Sequence, residues 1–189
     1  MAKPRILSTS TLAESRLFRI EAIDLAFSNG QNATFECVRT QGAGVVMVAV
    51  VSAQQELIMV REYAACADCY ELGFVKGKID PGESPMDTAA REIQEEIGFG
   101  ARDIKLLRTV TMSPAYTDWQ THLFVASMLY SATAEGDEIE PLEQVRWPLA
   151  DIAALFNHPE VNDARVLALL GHIEKYWTAK QSDNEGLNQ

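Results

Sequence analysis

Basic residues are scarce in this 189-residue chain: Lys and Arg total 16 against 27 Asp and Glu, for a net charge of −11. The pI is correspondingly low, near 4.7. Tracking a nucleic-acid backbone requires Lys and Arg to neutralise phosphates, so this balance argues against a nucleic-acid polymer as partner. It does not argue against a small nucleotide, because a bound metal and a few arginines can invert the local sign. No apolar run reaches the roughly 18 residues of a transmembrane helix, so no membrane partner is expected. The opening Met1-Ala2-Lys3-Pro4-Arg5 lacks the apolar core of a signal peptide, and the expected location is the cytoplasm. Cysteine and histidine are sparse too, at three each. Cys66-Ala67-Asp68-Cys69 has C-x-x-C spacing, but no second pair and no His-x-x-His pattern completes a zinc site. Free thiols are the plainer reading of Cys66 and Cys69. No internal repeat or inner linker divides the chain, and its length and 47% hydrophobic content fit one globular unit.

What is present is concentrated between Gly77 and Phe99. Gly77 to Glu83 carries a Pro81-Gly82 pair and reads as a tight loop. Ser84 stands at a helix N-cap position, Pro85 at the first helical position, and Gly98 at the C-terminal stop. Between them Met86, Ala89, Ala90, Ile93 and Ile97 recur at spacings of three and four, predicting one face for burial. On another face Glu92, Glu95 and Glu96 fall at i, i+3 and i+4, which brings like charges together. Such a cluster needs a compensating cation. Oxygen ligands with no His or Cys nearby suit Mg2+, with Mn2+ possible. The competing reading is a solvated acidic helix face, which most Glu-rich stretches are.

The whole run, Gly77, five residues, Glu83, seven residues, then Arg91-Glu92-Ile93-Gln94-Glu95-Glu96-Ile97-Gly98-Phe99, resembles the Nudix box at every specified position. That resemblance implies metal-assisted hydrolysis of nucleoside diphosphates linked to another group. It assigns Glu92, Glu95 and Glu96 as catalytic metal ligands, joined by the backbone carbonyl of Lys76. Arg91 and Glu83, with Gly77 and Gly98, become structural support of the box, Glu83 being a further candidate for an outer metal contact. The fold implied is α/β (α+β), an α/β/α sandwich around a mixed sheet with an N-terminal β-hairpin extension.

Resemblance extends beyond the box. Arg61-Glu62-Tyr63, Tyr70-Glu71-Leu72 and Ser113-Pro114-Ala115-Tyr116 are similar to the flanks of the box in ADP-ribose pyrophosphatases. Glu71-Leu72-Gly73-Phe74-Val75-Lys76-Gly77 is two residues longer than their usual run into the box. That length, the acidic Glu135–Glu140 segment and Gln144-Val145-Arg146-Trp147 resemble the NudE-type ADP compounds hydrolases. The resemblance implies substrates such as ADP-ribose, NADH and diadenosine polyphosphates of the Ap3A kind, cleaved to release AMP. It places the base or an extra ligand at Glu138 or Glu140, against the alternative of a charged surface loop.

Arg61 and Arg39 are candidate substrate contacts, because guanidinium forks match phosphate geometry, and Glu71 joins them. Either arginine could equally be a surface strand residue. Phe27, Phe35 or Tyr63 could stack on adenine, although each is more often core. Exchange of N-terminal strands in related enzymes implies a homodimer with Phe18, Phe27 and Phe35 at the interface. The expected organisation is an N-terminal dimerisation extension over 1–40, a hydrolase domain over 41–178, and a disordered tail over 179–189. Strands are expected over 17–27, 34–38, 44–51, 56–61, 105–111, 121–129 and 144–147, with helices near 148–156 and 161–177.

Overall fold

The central strand is a valine-rich run whose β-branched side chains favour an extended backbone. In a computed structural model that describes residues 2–40, 42–132, 134 and 141–186, this run is β4, Val45–Val51. Side chains alternate across a strand, so β4 has two apolar faces. Val46, Val48 and Val50 pack with Ala89, Ile93 and Ile97 of α1 (Pro85–Ile97). Met47, Ala49 and Val51 pack on the other side with Leu169, Leu170 and Ile173 of α3 (Ala164–Gly186). Burial of each Val, Met, Leu or Ile side chain among them favours folding by roughly 1.5–3 kcal/mol before entropy is counted. One strand therefore knits both cores.

Around β4 the sheet contains β5 (Glu56–Ala64), β6 (Cys69–Gly73), β7 (Val75–Lys78), β8 (Phe99–Thr111), β9 (Gln120–Ser131) and β10 (Glu143–Pro148). Its order is β10-β5-β4-β9-β8, with β6 paired to β5 and β7 to β4. β4 runs parallel to β9 and antiparallel to β5 and β7, so the sheet is mixed. Helix α1 covers one face; α3 and the short α2 (Ile152–Leu155) cover the other. This is the α/β/α sandwich around a mixed sheet expected from the sequence. β4 meets β5 only at Val50 and Val51, and meets β7 at Val45 to Val48. The sheet is therefore split between β5 and β7, and the split opens beside the box.

The N-terminal extension is a three-stranded antiparallel sheet of β1 (Arg5–Glu14), β2 (Phe18–Ala26) and β3 (Asn32–Thr40). The expected hairpin is β2–β3; β1 is an additional strand that the sequence reading did not assign. Every residue of β1 is exposed, so it carries no buried face to imprint an alternating pattern. The extension meets the larger sheet through the Val38 N–H, which donates to the Tyr116 carbonyl at 2.7 Å, and through Thr40 and Arg39 on Asp118. Helix α3 continues to Gly186, where the sequence reading expected a disordered tail. Cys37, Cys66 and Cys69 are all free thiols. Among the described residues no helix is long and apolar enough to cross a membrane.

Candidate active site

The box folds as its local chemistry dictates. Ser84 takes an extended backbone (φ −83°, ψ 154°) and its Oγ accepts the Asp87 N–H at 3.2 Å. Pro85 needs no amide partner at the first helical position. Gly98 closes the helix at φ 74°, a left-handed conformation suited to glycine, and its N–H returns to the Gln94 carbonyl at 3.1 Å. Ala89, Ile93 and Ile97 are buried as expected, but Met86 is exposed and Ala90 only half-buried. The buried position in the first turn is instead Thr88, whose Oγ1 donates to Glu83 Oε2 at 2.7 Å.

Arg91 is the hub of the box. Its Nε and Nη2 grip Glu83 at 3.1 Å each, and Nη2 also donates to the Lys78 carbonyl at 3.2 Å. Nη1 donates to Glu92 Oε1 and Glu95 Oε2, both at 2.7 Å. One guanidinium thereby ties loop to helix and holds two of the three helix carboxylates. The same contact, helped by Thr88, keeps Glu83 at a pKa of about 2. Gly77 has a separate reason to be glycine: a Cβ there would overlap the Glu92 carboxylate. Loop backbone and catalytic side chain share the space that a methyl group would fill.

Glu96 lies in a different environment from Glu92 and Glu95. It is buried, its Oε1 accepts the Lys76 N–H at 3.2 Å, and its Oε2 has no hydrogen-bond partner among the described residues. Burial pushes its pKa up to about 8; the Lys76 ammonium opposes that shift, while Glu92 and Glu62 reinforce it. Among the described residues, no three His, Cys, Asp or Glu side chains converge into a ready metal cage. The fit to a hard divalent cation is nonetheless direct. A buried carboxylate oxygen lacking a partner sits in the field of Glu92, and Mg2+ typically takes only one or two carboxylates and completes its shell with water and phosphate.

The other expected residues are spread around this centre. Glu71 pairs with Glu62 across β5 and β6 and lines a cavity of about 140 Å3 in the split sheet, with Tyr63, Lys76, Asp163 and Arg165. Arg61 is held by Glu143 at 2.5 Å and Glu160 at 3.0 Å. Arg39 is held by Glu21 at 3.0 Å and Asp118 at 3.3 Å. Both guanidinia thus already have carboxylate partners that a phosphate would have to share. Phe27 and Phe35 pack against each other with ring centres 6.3 Å apart, and Tyr63 packs edge-on against Tyr70. Glu138 and Glu140 lie outside the described residues. Sequence reasoning missed the Lys76 side chain, Glu62, Thr88 and the Asp163–Arg165 pair. Thr88 on Glu83 and Arg165 on Asp163 are local pairs, whereas only chain topology brings Lys76 to Glu62.

Fold and site together define a class, and comparison with known proteins agrees: residues 40–170 match the NUDIX domain, so the chain belongs to the Nudix family. It is an enzyme, a Nudix pyrophosphatase, and residues 4–36 match the NudE-type Nudix hydrolase N-terminal domain. Over 176 residues it is 46% identical to ADP compounds hydrolase NudE of Escherichia coli (strain K12), covering 93% of this chain and 94% of that one. It is 29% identical to ADP-ribose pyrophosphatase of Bacillus subtilis (strain 168), covering 89% and 94%. A crystal structure of an ADP compounds hydrolase superposes with a TM-score of 0.87 at 43% identity, covering 95% of this chain and 97% of that one.

Proposed function

We propose that this enzyme hydrolyses the pyrophosphate bond of ADP-linked compounds, among them ADP-ribose, NADH and Ap3A, and releases AMP. The observation that carries the reading is the intact box, with Arg91 holding Glu83, Glu92 and Glu95 while Glu96 keeps a buried oxygen without a partner. Similarity to an ADP compounds hydrolase over nearly the whole chain supports the substrate class.

Nudix hydrolases generally use divalent metal ions. Here Glu92, Glu95, Glu96 and the Lys76 carbonyl would hold Mg2+, or Mn2+ in its place. Bound there, such an ion supplies charge neutralisation for the pyrophosphate oxygens and a more acidic water. The chain's own residues do the rest. Arg91 fixes the orientation of Glu92 and Glu95 so that no reorganisation is needed when charge develops. Gly77 lets the loop approach Glu92, and the cavity beside Glu71 and Lys76 gives one end of the substrate room outside the box. Glu138 or Glu140 is proposed as base for the attacking water, with Arg61, Arg39 and Glu71 as substrate contacts. Exposed Leu12, Phe18 and Phe35 on the N-terminal sheet, with Leu17 in its first turn, support a homodimer in which residues 1–40 form the interface. The cytoplasm is the proposed location.

The test is AMP release from NADH, ADP-ribose, Ap3A and a capped RNA, assayed with Mg2+ and after chelation. Metal-dependent AMP from the first three, and none from the capped RNA, is the expected result. Release from ADP-ribose alone would move the enzyme to the stricter pyrophosphatase reading, which the similarity to the Bacillus enzyme favours. No release from any of them would overturn the proposal.

A further inference from the structure

The box helix ends on carbonyls that no further turn can satisfy, and two of them are taken by residues from elsewhere in the chain. The Ile97 carbonyl accepts the Gln144 side-chain amide at 3.2 Å, and the Gly98 carbonyl accepts the Ala132 N–H at 3.2 Å. Ala132 directly follows β9, and Gln144 lies in β10. Between them runs the segment that carries Glu135, Asp137, Glu138 and Glu140 and has no Lys or Arg. Its two ends are thus fastened to one place, the C-terminus of the helix that bears Glu92, Glu95 and Glu96. Two more contacts secure the returning end. Leu142 packs on the core cluster of Ile93 and Ile97, and Glu143 is ion-paired with Arg61 at 2.5 Å. Electrostatics alone would part the segment from the helix end, because that end is the negative pole of the helix dipole and the segment is acidic. A neutral amide donor suits the junction, since it bonds the carbonyl without adding charge.

We propose that Gln144 is a positioning residue for hydrolysis: it pins the returning end of the acidic segment to the box helix, so that the base on that segment keeps a fixed distance from the helix carboxylates. The inference rests on the reading of Glu138 or Glu140 as the base. Misplacing a reacting group by about 1 Å costs roughly 100-fold in rate. An exposed side chain such as Gln144, by contrast, contributes little to stability. Loss of Gln144 therefore separates turnover from folding.

The experiment measures kcat and KM for AMP release from ADP-ribose at saturating Mg2+, with melting temperatures alongside, for wild type, Gln144→Met, Gln144→Glu and Gln144→Lys. Gln144→Met removes the donor at nearly constant size. Its kcat is expected to fall about tenfold to 100-fold, with KM within about twofold and melting within about 2 °C of wild type. Gln144→Glu loses the donor and adds repulsion at the helix end, so its kcat falls at least as far. Gln144→Lys restores a donor to the carbonyl and recovers most of the rate. Gln144→Met is then combined with Glu138→Gln and with Glu140→Gln. In whichever of these is already slow, it costs less than about threefold more, because the group it positions is gone. Wild-type kcat in Gln144→Met, no recovery in Gln144→Lys, or a fully additive loss in the slow background would overturn the role of Gln144. Wild-type rates in both Glu138→Gln and Glu140→Gln would instead overturn the reading of the base beneath it.

Discussion

Glu96 and Gly77 show how tightly the chemistry constrains individual positions. A buried carboxylate with one oxygen lacking a partner destabilises the metal-free protein at neutral pH, because burial penalises its charged form. Glu96→Gln keeps an acceptor for the Lys76 N–H and loses the charge, so the chelated variant should melt a few degrees above wild type in calorimetry. A lower melting temperature would show that Glu96 is compensated in ways these contacts do not describe. At Gly77 the expectation is opposite in sign. Gly77→Ala drives a methyl group into the Glu92 carboxylate, and overpacking of that kind costs about 1–3 kcal/mol. Denaturant unfolding should show that loss, with turnover down by more than about tenfold as Glu92 is displaced. Wild-type turnover would mean that Glu92 needs no fixed place.

At the scale of elements, the box helix was the part most legible in the sequence, since its determinants are local. Ser84, Pro85 and Gly98 announce both ends, and the structure uses each as a cap or first-turn residue. The N-cap bond from Asp87 N–H to Ser84 predicts that Ser84→Ala costs about 1 kcal/mol, measured as a shift in the denaturation midpoint. Strand β1 was illegible for a physical reason: a strand exposed throughout has no hydrophobic alternation. Met86 continues the helical spacing and so predicts burial, yet it is exposed and the buried residue of the first turn is Thr88. Glu62 in β5, Lys76 in β7 and Asp163 just before α3 are far apart in sequence, and only the fold brings them to one cavity.

Two element ends also set the acid stability of the molecule. Arg91 holds Glu83 at a pKa of about 2, and Arg165 helps to hold Asp163, which caps α3, below the ordinary carboxylate range. For carboxylates depressed in the folded state, the stabilisation is present in full above the unfolded pKa and is lost as pH falls through the folded one. Unfolding free energy should therefore decline between about pH 5 and pH 2, and Glu83→Gln should flatten part of that slope. An unchanged slope in Glu83→Gln would remove the Arg91–Glu83 clamp from the account of stability.

The whole molecule is an acidic enzyme of net charge −11, and the ADP-linked compounds that its family relatives act on are anionic too. Repulsion at long range would be offset where Arg91 and a divalent cation held by the box carboxylates stand together. The box was readable from the chain, and the sandwich with its mixed sheet followed from the family resemblance that the box carries. The third N-terminal strand was not, because it is exposed throughout, and neither was the Lys76 cavity, because nothing in local spacing encodes a split between β5 and β7. The central claim is that the carboxylates of α1 act through a divalent cation on an ADP-linked pyrophosphate. The most direct measurement is AMP release from ADP-ribose by wild type and Glu96→Gln, each with Mg2+ and after chelation. The account predicts rapid release only for the wild type with metal, and a loss of roughly 10^3-fold or more in the variant whose fold is intact by circular dichroism. Undiminished release by Glu96→Gln, or by the chelated wild type, would contradict it.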